Sequence, residues 1–269
     1  AGGPQGILNV SFIDEVKLST SAFDAKFDNA LSSVFEFKQK RGNLNKVESN
    51  IRLGATEVAS TWNGPLNKSG KTTFLLSARR SYLQYLFSAL DLPIRPNFWD
   101  FQYKISHQIN PTTTFTTLGV GAIDHLFFVQ PRNATPEKLY ALNANPKINQ
   151  WSYTVGAALK KLISKGYWNL SISRSHLNNV NEKFEDNLTE NKGAQTLDMR
   201  ANEIANSIRF DITKSILGLK WTSGLNMQDV HYDNSTFQII KKPLQYHYET
   251  DFSFQKYGAF FQVGKKALN

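Results

Sequence analysis

The chain of 269 residues has no cysteine, which excludes a disulfide framework, a thiolate metal site and a cysteine nucleophile. It has no run approaching 18 consecutive apolar residues, so no membrane-spanning helix is written in it. Ala1-Gly2-Gly3-Pro4 does not read as a secretion signal. Catalytic signatures are also missing. No Gly-x-Ser-x-Gly elbow occurs, and His107, His125, His176, His231 and His247 show no metal-ligand spacing. Gly64 to Gly70-Lys71-Thr72 has one residue too many between its glycines for a phosphate loop and reads as a hairpin turn. Glu182, Glu185, Asp186 and Glu190 read as a charged loop rather than a calcium site. No enzyme, metal or cofactor is expected.

What is present points to strands. Hydrophobic residues make up 41%, aromatics 13% and charged residues 20%, and the mean hydropathy is negative. This suits an all-β protein wet on one face, including a transmembrane barrel, whose alternation keeps average hydropathy low. The net charge of +9 invites acidic partners, but the charges are scattered and not interleaved with stacking aromatics, so no nucleic acid is expected.

Period-two alternation dominates from about residue 98 onward. It predicts one face carrying Phe101, Tyr103, Ile105, Val155, Leu159, Leu170, Ile172, Ile208, Phe210, Leu217, Leu219, Trp221 and Phe261. The opposite face carries Gln102, Lys104, Ser171, Ser173, Arg209, Asp211, Lys220 and Thr222. Most of these strands run to ten residues or more, beyond the usual five or six of soluble proteins and enough to cross a bilayer when tilted. Trp99, Trp151, Tyr153, Trp168 and Tyr257 gather near the ends of the apolar faces, as in an aromatic girdle. Asn110-Pro111-Thr112, Ser164-Lys165-Gly166 and Lys214-Ser215 read as tight turns, and residues 127–150, 177–202 and 230–254 as long polar loops. Short turns on one side and long loops on the other mark an up-and-down outer-membrane barrel.

Parity then requires two short strands within residues 47–63, bent near Ala55-Thr56, and ten strands in all. A short amphipathic helix is expected where Tyr82, Leu83, Leu86, Phe87 and Leu90 recur before Pro93. The last strand descends towards Lys265-Lys266, so the chain reads as a fragment of a larger barrel. Residues 1–43 are too few to form a core alone. Their expected strands are residues 7–12, 15–18 and 34–38.

Asn9-Val10-Ser11-Phe12-Ile13-Asp14-Glu15-Val16-Lys17-Leu18, then Thr20-Ser21-Ala22-Phe23-Asp24-Ala25-Lys26-Phe27-Asp28-Asn29-Ala30-Leu31-Ser32-Ser33-Val34, resembles the end of the plug domain of TonB-dependent outer-membrane receptors, in the form found in Bacteroidetes. Asn63-Gly64-Pro65-Leu66 resembles the turn between the second and third barrel strands, and Ser77-Ala78-Arg79-Arg80-Ser81-Tyr82 the arginine-rich end of the third. Ser32-Ser33-Val34 departs from the paired glycines of many relatives but keeps small residues. The resemblance implies the end of a plug in residues 1–43 and the first part of a barrel of about 22 strands in residues 44–269. It implies active uptake of a ligand too large for porins across the bacterial outer membrane, driven by the inner-membrane TonB complex, whose contact segment this chain lacks.

The ligand could be an iron chelate, cobalamin, a glycan or a peptide, and a surface lipoprotein could assist. Outer-membrane lipid is the remaining partner. Expected plug–barrel contacts are Asp24 or Asp28 with Arg79 or Arg80, facing a wall that presents Gln102, Lys104, Arg209, Asp211 and Lys220. The rival readings are a passive or binding-only barrel and a soluble β-rich glycan-processing enzyme.

Overall fold

The computed structural model describes residues 7–21, 23–27 and 30–265. Two antiparallel sheets make up the fold. The small one pairs β1 (Ile13–Ser19) with β2 (Val34–Gln39). The large one has ten strands in strict sequence order. They are β3 (Glu48–Leu53), β4 (Glu57–Pro65), β5 (Thr72–Ser81), β6 (Ile94–Asn110), β7 (Thr113–Phe128), β8 (Lys147–Ile163), β9 (Gly166–Phe184), β10 (Gln195–Ile216), β11 (Leu219–Lys241) and β12 (Leu244–Gly264). Two helices, α1 (Leu83–Ala89) and α2 (Pro136–Ala144), lie in the connections at one end. The first and last strands of the large sheet are its edges, so it is an open, partial barrel, and no helix is long and apolar enough to cross a membrane.

The alternation produces two unlike faces. One contacts residues 7–43 and is the inner face. The other carries Phe101, Ile172, Ile208, Phe210, Leu225 and Phe261, all exposed. Phe210 and Asp211 point as the pattern requires: Phe210 lies by Trp168 on the apolar face, and Asp211 lies 3.6 Å from Arg209 on the inner one. On β11 the outward row Leu219, Trp221, Leu225, Met227 gives way to Asp229, His231 and Asp233. Leu219 to Met227 spans about 26 Å of strand, or about 20 Å of depth at a tilt near 40°. Aromatic pairs lie on this face. Trp168–Phe210 and Trp221–Phe261 stand within the band, level with residues 221–225, and Trp99–Phe101 and Trp151–Tyr153 stack toward the loop end.

Several sequence expectations need correction. Residues 177–202 and 230–254 are mostly paired ladder and not long loops: β9 runs to Phe184 and β10 starts at Gln195, which leaves residues 185–194 as the connection, and β11 and β12 turn at residues 242–243. Above the apolar band an outward residue no longer faces lipid, so the alternation that reveals a strand changes while the backbone hydrogen bonds persist. On β12 the phase inverts. Tyr257, Ala259, Phe261 and Val263 point outward, whereas higher up Tyr246, Tyr248, Phe252 and Phe254 point inward and His247, Glu249, Asp251 and Ser253 outward. The tight turn expected at Lys214-Ser215 sits at Leu217-Gly218, both with positive φ (53° and 75°). Glycine adopts that backbone readily and completes a two-residue hairpin turn. Leu217 is thus an exposed turn residue and not part of a strand face.

Residues 127–150 contain α2, whose start is capped by the Thr135 hydroxyl accepting the Lys138 N–H, with Pro136 in the first turn. Residues 10–12 form a 3-10 turn and not a strand. The ten strands, the short β3–β4 pair and helix α1 follow the sequence expectation.

With the apolar face in lipid or detergent, Phe210→Arg should destabilise the protein by about 2–4 kcal/mol, the cost of a mid-membrane cation. Asp211→Asn should be nearly neutral. Urea titration of the two variants in micelles checks the difference, and equal destabilisation would invalidate the assignment of faces.

Candidate functional site

The chemistry of this chain is concentrated where residues 7–43 meet the inner face. On β4 and β5 the inward side chains Glu57, Ala59, Thr61, Thr73, Leu75, Ser77, Arg79 and Ser81 are buried, so this part of the wall is a seat. Asn9 is 1% exposed. Its amide donates to Ser77 Oγ at 2.6 Å and to Thr61 Oγ1 at 3.2 Å, and its carbonyl oxygen accepts the Ser11 N–H at 3.0 Å. One side chain thus joins the wall and fixes the 3-10 turn that buries Phe12, which is 0% exposed. Gln102 donates to the carbonyl of Ile7 at 2.7 Å. Lys104 donates to the carbonyls of Gln39 and Lys40 at 3.2 and 3.0 Å. Asn63 accepts the Asn43 N–H at 3.0 Å.

A second, lighter foothold lies five and seven strands from β5, on β10 and β12. Arg209 donates to the carbonyl of Lys26 at 2.8 Å. Gln262 accepts the Ala25 N–H at 2.9 Å and donates to Asp24 at 3.3 Å. Gly224 permits this arrangement: a Cβ there would come within 2.5 Å of the Phe260 ring, against which Arg209 lies at 5.3 Å.

The expected pairing of Asp24 with Arg79 is replaced by a different one. Asp24 sits by Gln262 and Lys26, whereas Arg79 on β5 donates to Asp100 at 2.7 Å and lies 3.3 Å from Glu57, which accepts from Arg52 at 2.9 Å. Arg52, Glu57, Arg79 and Asp100 form a chain of two cations and two anions across β3–β6. Register sets Arg79 opposite Asp100 and Ala59, and Ala59 opposite Arg52, with Glu57 two residues along from Ala59, and each buried charge needs a partner. Arg80 lies over Trp99 at 4.8 Å on the apolar face, so it does not contact residues 7–43. Asp28 lies outside the described residues.

Gln102, Lys104 and Arg209 all reach residues 7–43, Asp211 braces Arg209, and Lys220 stands on the same face near the turn end. Among the described residues no salt bridge joins the segment to the wall. The wall contacts are mainly side chains bonding to main-chain groups. The ion pairs of the segment are internal, as in Lys26–Glu36 at 2.9 Å and Lys38–Glu15 at 3.1 Å. Asn9 and Gln262 are not among the contact residues expected from the sequence. Asn9-Val10-Ser11 has the spacing of an Asx turn, and Gln262 falls on the polar side of its strand, so both carried a readable signal.

At the loop end, hydrogen bonds tie the connections together. Asp91, with φ 54°, accepts the N–H groups of Arg132 and Asn133 at 2.7 and 3.0 Å and pairs with Lys138 at 2.6 Å. Lys138 and those two N–H groups hold its carboxyl well below the usual range. Asn187 is 0% exposed; it donates to the carbonyls of Leu142 and Asn145 and accepts the Phe184 N–H. Lys242 pairs with Glu185. Helix α2 is therefore fixed at both ends, and the connections around it form one tied rim.

No family model and no curated protein matches the sequence. Solved structures do resemble the fold. The receptor FpvA of Pseudomonas aeruginosa, in complex with a heterologous pyoverdine and iron, superposes with a TM-score of 0.69 at 11% identity, covering 96% of this chain and 40% of its own. The copper transporter OprC gives 0.65 at 8% identity, covering 94% and 39%. The alcaligin outer-membrane receptor FauA from Bordetella pertussis gives 0.55 at 12%, covering 94% and 46%. The chain spans less than half the length of these proteins. At such identities the likeness is one of fold, that of a partial β-barrel of the outer-membrane type.

Removing the Asn9 amide leaves two wall hydroxyls and one backbone N–H without their partner, at about 1–3 kcal/mol for buried groups. Asn9→Ala should speed proteolysis and hydrogen exchange of residues 7–43 while leaving the heat resistance of the large sheet unchanged. Gln262→Ala should affect residues 23–27 alone. Uniform exchange along the segment in both variants would contradict the two-foothold arrangement.

The Asp91 pairing has a pH signature. A depressed carboxyl contributes fully above its unfolded value near 4 and is lost only as the pH falls through its lower folded value. Amide exchange at Arg132 and Asn133, corrected for intrinsic rate, should therefore stay constant from pH 8 to 5. It should rise at every pH in Asp91→Asn.

Proposed function

We propose that this chain is the end of the plug, residues 1–43, and the first part of the barrel, residues 44–269, of a TonB-dependent receptor. Such a receptor imports a ligand too large for porins across the bacterial outer membrane. The observation that carries the reading is a segment bonded through its backbone to the polar inner face of a sheet whose outer face is an apolar band carrying aromatic pairs. A free pore has no use for a seated segment. A soluble enzyme would not expose that band, and the described residues hold no cluster of three or more metal-ligating groups.

Side chains that bond to main-chain groups suit a plug that must leave and return. They hold it without burying a large apolar surface that would be costly to re-wet. The outer membrane has no nucleotide supply, so the work must come from the inner-membrane TonB complex. FpvA is described with iron-loaded pyoverdine, OprC as a copper transporter and FauA as an alcaligin receptor. For this chain an iron chelate leads, with cobalamin, glycan and peptide behind it. The Bacteroidetes form, suggested by residues 9–34, would add a surface lipoprotein that hands over ligand.

The test is uptake by cells carrying the full-length receptor, with and without TonB, over a panel of labelled iron chelates, cobalamin, oligosaccharides and peptides. One class should be bound by both strains and accumulated only where TonB is present. Accumulation that persists without TonB would establish the passive barrel instead. A protein that stays monomeric without detergent would point to the soluble enzyme.

A further inference from the structure

We infer that the turn end of the inner face holds a binding site for a small polyoxyanion, a molecule carrying several carboxylate or phosphate groups. A cleft of about 410 Å³ opens there between residues 41–44 and strands β5 to β8, within the usual range for small-ligand pockets. Arg41, Lys71, Lys104 and Lys160 line it, and none of its lining residues is an aspartate or glutamate.

Strand register places hydroxyls among these cations. Thr73, Ser106 and Thr116 stand opposite one another across β5, β6 and β7. The next inward row runs Gln108, Thr114, Lys160 across β6, β7 and β8. Lys104 is steadied by the carbonyls of Gln39 and Lys40, and Lys160 by the ring of Tyr167 at 4.6 Å. Carbonyls and rings orient an ammonium without neutralising it.

The surroundings do not supply the missing charge. The hairpin tips at residues 66–71, 111–112, 164–165 and 217–218 contain no aspartate or glutamate. Lys68, Lys165 and Lys220 add to the same end. Of the carboxylates nearby, Glu48 is paired with Lys46 at 3.2 Å and Asp14 with Lys38 at 3.6 Å. Four cations gathered in one concave place repel one another, and low-dielectric walls concentrate their field. Elsewhere on this wall the chain pairs its buried charges one to one, as along Arg52, Glu57, Arg79 and Asp100. Here cations and hydroxyls are left to meet an anion from solution. The cleft lies on the inner face at the end opposite the loops, so in the transport reading it is where a cargo would pause before release. That placement rests on the proposed function, whereas anion binding does not.

The experiment measures binding directly. The full-length protein, purified in detergent, is titrated calorimetrically with citrate and with inorganic phosphate at low and moderate salt. Saturable binding of one of them is expected, weakening as salt rises. The Lys71→Gln/Lys160→Gln double variant should weaken it at least tenfold, and Lys192→Gln at the loop end should leave it unchanged. Heat-modified electrophoretic mobility reports whether each variant is folded; if the double variant fails, Arg41→Gln replaces it, with several-fold weakening expected. Absence of saturable binding of either anion, or equal binding by the variants, overturns the proposal. So does loss of citrate binding in nanodiscs containing phosphatidylglycerol but not in zwitterionic ones, since a lipid headgroup would then be the occupant. These outcomes leave TonB-dependent uptake a separate question, decided by the cell assay.

Discussion

A bilayer offers a peptide group no hydrogen-bond partner, and the architecture follows from that constraint. Strands β3 to β12 answer it by pairing each with its neighbour in chain order, with few register irregularities. Such a ladder fixes which side chains face lipid and which face the interior, because a slip of one residue would reverse every side chain. Inner-facing polar groups then lie where no lipid competes for them. Residues 7–43 use this supply: their main-chain groups find amides, an ammonium and a guanidinium already aimed inward.

The two footholds of that segment differ in kind. On β4 to β6 a buried asparagine, a buried phenylalanine turn and a chain of paired charges form a rigid seat. On β10 and β12 two side chains hold residues 24–26. Because opening free energies scale with local burial and bonding, residues 23–27 are the part of the segment able to leave the wall first. The tied rim at the loop end is a third mechanical unit, joined through Asp91 and Asn187 rather than through the sheet.

How much of this could be read in the sequence depended on which solvent each residue faces. Within the apolar band, Phe210 beside Asp211 or Phe101 beside Gln102 leaves no ambiguity. Helix α1 was equally plain, because Leu83, Leu86 and Leu90 keep helical spacing. Above the band the signal changes, and paired strand reads as loop through residues 177–184 and 195–202. Helix α2 begins at Thr135-Pro136-Glu137, a helix start set inside a stretch whose polarity reads as loop. The inner contacts were legible as a class, in Gln102, Lys104 and Arg209, but not as pairs. Arg79 and Asp100 lie twenty-one positions apart, and only the register of β5 against β6 reveals that they meet. Periodicity reports a face and is silent about the neighbour on it.

The reversal of phase along β12 serves as a depth gauge. A strand that crosses from hydrocarbon into water exchanges its dry side for its wet side at one height, between Gln255 and Tyr257 here. On β11 the change falls between Met227 and Asp229. Two such marks on adjacent strands define a line, and that line is the membrane surface written in side chains. The two marks are ladder partners, Met227 with Tyr257 and Asp229 with Gln255. Any insertion or deletion below the line would shift it, and the loops above would ride higher or lower in the outer leaflet.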